Sequence, residues 1–92
     1  MKSIYKRAME KWGLEAQLGM LQEECAELIM AVNKVNRRKT GAWENMIEEL
    51  ADVEIMCEQI GTYVGREKIK AVKAHKLLRV KSMLDPERAE GK

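Results

Sequence analysis

The residues Leu14, Leu18, Leu21, Cys25, Leu28, Val32 and Val35 recur at alternating spacings of four and three. That period places them on one face of a single long helix. Such a helix cannot hide its stripe alone, so it needs another layer to pack against. The same spacing returns in Met46, Leu50, Val53, Cys57, Ile60 and Val64, which predicts a second long helix over 42–64. The polar, basic connection from Asn36 to Gly41 joins the two. Ile4, Ala8 and Trp12 predict a short helix over 2–12, bent or broken at Gly13. A last helix over 67–84 stops at Asp85 and Pro86, because a residue before proline avoids the helical region. Four helices with short connections imply an all-α, four-helix bundle, with residues 1–86 as one domain and 87–92 as a flexible C-terminal tail.

A chain of 92 residues buries only about two thirds of its unfolded surface as a single domain, so oligomerisation is expected to add burial. Met20 and Met30 on the second helix, and Ile55 and Met56 on the third, lie off the main stripes. They predict a second apolar surface, and with it a homodimer or homotetramer with sites near subunit boundaries. The longest uninterrupted apolar run, Leu28 to Val32, is far too short to enter a membrane. Cys25 and Cys57 sit on the apolar stripes without metal-type spacing, which reads as two core thiols in a reducing, cytoplasmic setting.

The net charge of +2 hides an uneven distribution. From Trp12 to Gly65 there are ten acidic residues against four basic ones, Lys34, Arg37, Arg38 and Lys39, all clustered. From Arg66 to Lys92 nine basic residues face four acidic ones. A duplex-binding surface seldom carries an acidic block of this kind beside its basic stripe, so no nucleic-acid partner is expected.

The acidic residues carry the chemistry. Glu23, Glu24 and Glu27 lie on the second helix, and Glu48, Glu49 and Asp52 lie on the third. Helical surface glutamates usually have a lysine or arginine three or four residues away. None of these six does, and within each group a carboxylate occupies that spacing instead. Like charges so placed cost a few tenths of a kcal/mol each. Repeated on two helices, the pattern predicts a cation that offsets it. Oxygen-only ligands suit Mg²⁺, Mn²⁺ or Ca²⁺, whereas zinc and di-iron sites call for histidine or cysteine. The sole histidine, His75, lies outside both acidic groups and reads as a surface residue. Mg²⁺ held by a few carboxylates completes its shell with water and phosphate oxygens, which points to a phosphate-bearing substrate.

On the fourth helix Lys76 interrupts the stripe Ile69, Val72, Val80 and Met83, with Lys73 and Arg79 beside it. Either these stems lie along apolar surface with their charged heads in water, or the heads reach phosphate oxygens. Trp12 and Trp43 offer flat faces on which a base could stack, and both equally suit core or interface packing.

Glu23-Glu24-Cys25-Ala26-Glu27, followed by Glu49-Leu50-Ala51-Asp52, resembles the EExxE and ExxD signature of the MazG-like all-α nucleoside triphosphate pyrophosphohydrolases. The resemblance takes in Trp12-Gly13 and Gln17 before the first motif and the stretch to Ile60 after the second, and spans about residues 4–84. It is similar to the short, single-domain members of phages and bacteria. It implies Glu24, Glu27, Glu49 and Asp52 as Mg²⁺ ligands, with Mn²⁺ as a possible substitute, and Glu23 in support. Many members carry a lysine and then an asparagine on the last helix, whereas this chain has no asparagine after Asn45. Related families act on dUTP, dCTP or phosphoribosyl-ATP, so the resemblance leaves the base open.

The expected activity is hydrolysis of a nucleoside triphosphate to monophosphate and pyrophosphate by attack of water on the α-phosphorus. In that scheme Glu23 or Glu48 orients or deprotonates the water, Lys73, Lys76 and Arg79 contact phosphates, and Trp12 and Gln17 meet the remainder of the substrate. Two other classes fit the same residues: a helical interaction module with an acidic face, and a sensor that binds Mg²⁺ and triphosphate without turnover.

Overall fold

A computed structural model describes residues 3–86 and contains four α-helices and no strand among them: α1 (Ile4–Trp12), α2 (Leu14–Asn36), α3 (Ala42–Val64) and α4 (Arg66–Leu84). The proposed tail, 87–92, lies outside the described residues. Ser3 starts α1 by accepting a hydrogen bond from the Lys6 amide at 3.2 Å, which satisfies one of the first-turn N–H groups. Gly13, at φ 85°, turns the chain sharply into α2, and Gly65, at φ 113°, does the same between α3 and α4. Both angles lie where a side chain is strained, so glycine is what allows one helix to end and the next to begin within a single residue.

The core is an antiparallel hairpin of α2 and α3, and its seam differs from the one that leucine spacing suggests. Ala31 is fully buried and Gln17 nearly so, while Leu14, Leu21, Glu24, Leu28 and Val35 are half-buried. These residues also follow a three-four spacing, but a polar Gln17 and an ionisable Glu24 stand in it. Leu18, Cys25 and Val32 each come one residue after a seam position, a rotation of about 100°, and all three are exposed. On α3, Ala42, Met56 and Gln59 are buried and Met46, Glu49, Val53 and Ile60 half-buried, whereas Leu50, Cys57 and Val64 are exposed. Cys25 and Cys57 are therefore surface thiols, not core ones. The apolar pattern is wide enough for two faces, and periodicity alone does not say which one meets the neighbouring helix.

The short α1 folds back over the hairpin. Buried Gln59 donates to the Tyr5 carbonyl at 2.8 Å, and the Tyr5 hydroxyl donates to Glu58. The helix α4 packs against α3 alone, with Ile69 close over Gly61, and none of its residues is buried. As a result the radius of gyration is 17.4 Å, against about 12 Å for a compact domain of this length.

Candidate functional site

Glu24 lies one turn beyond Leu21 in the α2 seam, and Glu49 and Asp52 lie one turn apart on α3 directly across from it. One carboxylate oxygen from each of the three comes within 4.8 Å of the others. Glu24 and Glu49 are half-buried and Asp52 is exposed. The Oε1 atoms of Glu24 and Glu49 are shielded from water and have no hydrogen-bond partner. An oxygen shielded from water without a partner is destabilising, so two together call for an external partner.

The electrostatics agree with that reading. Burial raises the Glu24 carboxyl above its ordinary value, and the charges of Asp52, Glu27 and Glu49 raise it further. Burial likewise raises Glu49, followed by the charges of Glu27 and Asp52 and, more weakly, Glu48. The Glu27 carboxylate thus acts on both. Every charge acting on this pair is negative. A divalent cation would meet both needs: it would fill the oxygens' empty coordination and offset the repulsion.

The residues named from the acidic pattern thus come together to different degrees. Glu24, Glu27, Glu49 and Asp52 converge; Glu48 is exposed at the edge and contributes to the field at Glu49; Glu23 is exposed on α2. No family model, curated relative or solved structure matches this chain. The site therefore stands on its own geometry.

Next to the carboxylates is an apolar pocket of about 730 Å³ between α1 and the hairpin. Trp12 and Gln17 line it, as do Met20 and Ile55. Met20 precedes Glu24 by one turn, and Ile55 follows Asp52 by one turn, so pocket and carboxylates are adjacent along both helices. Of the four residues off the leucine stripes, Met20 and Ile55 line this pocket, Met56 is buried at its base, and Met30 is exposed. Gln59, which also lines the pocket and ties α1 down, was not singled out from the sequence. It stands seven residues after Asp52 on the same helix face, a spacing that a solvated glutamine would share.

The basic residues lie elsewhere. Lys73 lines a groove between α3 and α4, and Lys76 and Arg79 are exposed on α4. None of the three is among the charges felt by Glu24 or Glu49. Trp43 is exposed at the start of α3, outside the pocket, and His75 is exposed on α4. No helix among the described residues is long and apolar enough to cross a membrane.

Proposed function

We propose that this chain is a Mg²⁺-dependent nucleoside triphosphate pyrophosphohydrolase of the MazG-like type, converting a nucleoside or deoxynucleoside triphosphate to the monophosphate and pyrophosphate. The observation that carries the reading is the convergence of Glu24, Glu49 and Asp52 with two buried, unpartnered carboxylate oxygens. A helical interaction module would gain nothing from paying that desolvation, because acidic side chains that bind a basic protein work best exposed.

Glu24, Glu27, Glu49 and Asp52 would hold Mg²⁺, with Mn²⁺ as a substitute, and the metal would supply charge neutralisation at the phosphates and a more acidic water. The protein's own part is positional. Glu24 and Glu49, seated in the α2–α3 seam, are held by packing, so little reorganisation is needed on binding. Glu48, exposed beside Glu49, would orient a water or accept its proton, and Glu23, exposed on α2, would offer the same chemistry. The neighbouring pocket, with the Trp12 ring and the amides of Gln17 and Gln59, presents a flat apolar face and hydrogen-bonding groups of the kind a nucleobase uses. Free Cys25 and Cys57 suit a reducing, cytoplasmic setting.

Incubation with a panel of ribo-, deoxy- and oxidised triphosphates, with and without Mg²⁺, tests the proposal through release of pyrophosphate. Mg²⁺-dependent release of pyrophosphate with monophosphate is the expected result. Mg²⁺-dependent binding without release would make the protein a sensor, and neither binding nor release would leave the interaction module.

The fourth helix is tested separately. Because Lys76 stands apart from the carboxylates within one chain, Lys76→Ala is expected to change kcat/KM by less than about threefold, as for a solvated lysine. A loss of about 1.5–3 kcal/mol, the scale of a hydrogen bond to a charged group, would instead establish the phosphate contact read from the sequence.

A further inference from the structure

Two glutamine amides are set into the wall of the pocket under α1, and they differ in what holds them. Gln59 is 3% exposed and donates from its side-chain nitrogen to the Tyr5 carbonyl at 2.8 Å. A carbonyl oxygen only accepts, so the nitrogen must face Tyr5 and the amide cannot turn over. Its own oxygen is left as an acceptor of fixed position, without a partner among the described residues. Gln17 is 6% exposed and its amide has no hydrogen-bond partner among the described residues, so it is free to present either end. No charged side chain lines this pocket, and the Tyr5 hydroxyl, which could have offered a donor, is given to Glu58. A nearly buried amide group without a partner is destabilising until a ligand or water completes it. The wall therefore suits a flat, neutral group with hydrogen-bond donors at its edge.

We infer that the pocket selects bases carrying an exocyclic amino group, and that Gln59 makes the selection. The amino group of cytosine or adenine carries two hydrogens, which suit two acceptors, the fixed Gln59 oxygen and the Gln17 oxygen. Uracil and hypoxanthine carry a carbonyl at the same place, which would meet the Gln59 oxygen acceptor to acceptor. Gln17 can turn to suit either edge. Gln59 cannot, because turning it would set its oxygen against the Tyr5 carbonyl and undo the tie that holds α1. The choice of base is thus built into the contact that seats α1 on the hairpin. Polar groups that are nearly buried reject a mismatched edge more sharply than an apolar wall does, since the mismatch leaves them unpaired. Such selectivity rests on the pocket being the base site proposed above, and not on turnover.

Uncharged nucleosides test it without metal or phosphate. Cytidine, uridine, adenosine and inosine are titrated into the intact, isotope-labelled chain while the indole N–H resonances of its two tryptophans are followed, Trp12 lining the pocket and Trp43 lying outside it. Cytidine and adenosine are expected to shift Trp12 and not Trp43, and to bind about tenfold or more tighter than uridine and inosine. Gln59→Met, which keeps the length and removes the amide, is expected to bring that ratio to about one. Gln17→Met is expected to weaken all four nucleosides and leave the preference in place, which keeps the assignment testable should Gln59→Met fail to fold. Equal affinities in the parent, a preference for uridine and inosine, or no shift of Trp12 with any of the four overturns the inference. So does a preference that survives in folded Gln59→Met or disappears in Gln17→Met. Pyrophosphate release from CTP and UTP at equal kcat/KM would remove the selectivity and leave the catalytic reading standing, whereas nucleoside selectivity without release would do the reverse.

Discussion

Asp52→Asn is expected to lower kcat/KM by about 1,000-fold or more, equivalent to roughly 4 kcal/mol of transition-state stabilisation, while leaving the metal-free protein at least as stable as the parent. Both effects come from one charge. Asp52 presents its oxygen within 4.8 Å of Glu24 and Glu49, and its charge is the strongest of those pushing Glu24 toward protonation. With a metal bound, that charge is a ligand; without one, it is repulsion at a half-buried pair. Asparagine keeps the shape and removes the charge, so it loses the ion and relieves the empty site together. Steady-state kinetics and thermal melting in chelator measure the two effects on one preparation. Full Mg²⁺-dependent activity in the variant would remove Asp52 from the site and with it the basis of the catalytic reading.

The second large effect is on stability. At about one hundred times its dissociation constant, Mg²⁺ should stabilise the fold by roughly 2.7 kcal/mol, which for a domain of this size is a rise in melting temperature of about 10–20 °C. The control is NaCl at matched ionic strength, because general screening also softens carboxylate repulsion. The pH dependence has a definite sign. Glu24 and Glu49 are both raised in the folded chain above the ordinary value of 4.5. Folding therefore favours their protonated forms, and the metal-free protein is favoured below about pH 4.5 and loses that contribution as pH rises through the raised folded values. The double variant Glu24→Gln, Glu49→Gln lacks these titrations. In chelator, its stability advantage over the parent should widen from pH 4.5 toward pH 8, and saturating Mg²⁺ should reverse the order. A gap that stays constant with pH would mean that the two carboxyls are solvated in the metal-free protein.

The missing salt-bridge partners explain why the acidic site was readable in advance. Glu24, Glu27, Glu49 and Asp52 sit at three-residue spacing on two helices with no cation in reach, and that one-dimensional fact already placed each pair on a single face. The pocket beside them was less readable. Trp12 and Gln17 were noticed, but Gln59 was not, since glutamine on a helix has no spacing signal that separates a buried, hydrogen-bonded side chain from a solvated one.

Local chemistry along the chain determined the four helices, the turns at Gly13 and Gly65, and the two acidic faces. These are short-range properties, set by periodicity and by which residues tolerate a positive φ. Which of two adjacent stripes becomes the seam was decided only in three dimensions. Leu18, Cys25 and Val32 are at least as apolar as Gln17, Glu24 and Ala31, yet the latter set faces α3. The small Ala31 allows close approach of the helices, and Glu24, two turns before it on the same face, is carried into the seam opposite Glu49 and Asp52 against their like charge. Hydrophobicity ranks residues for burial but does not say against what. The same reason separates α4 from the carboxylates. Its cations complement the acidic helices in sequence, but its contact at Ile69 and Gly61 sets it along α3, and no one-dimensional pattern records that placement.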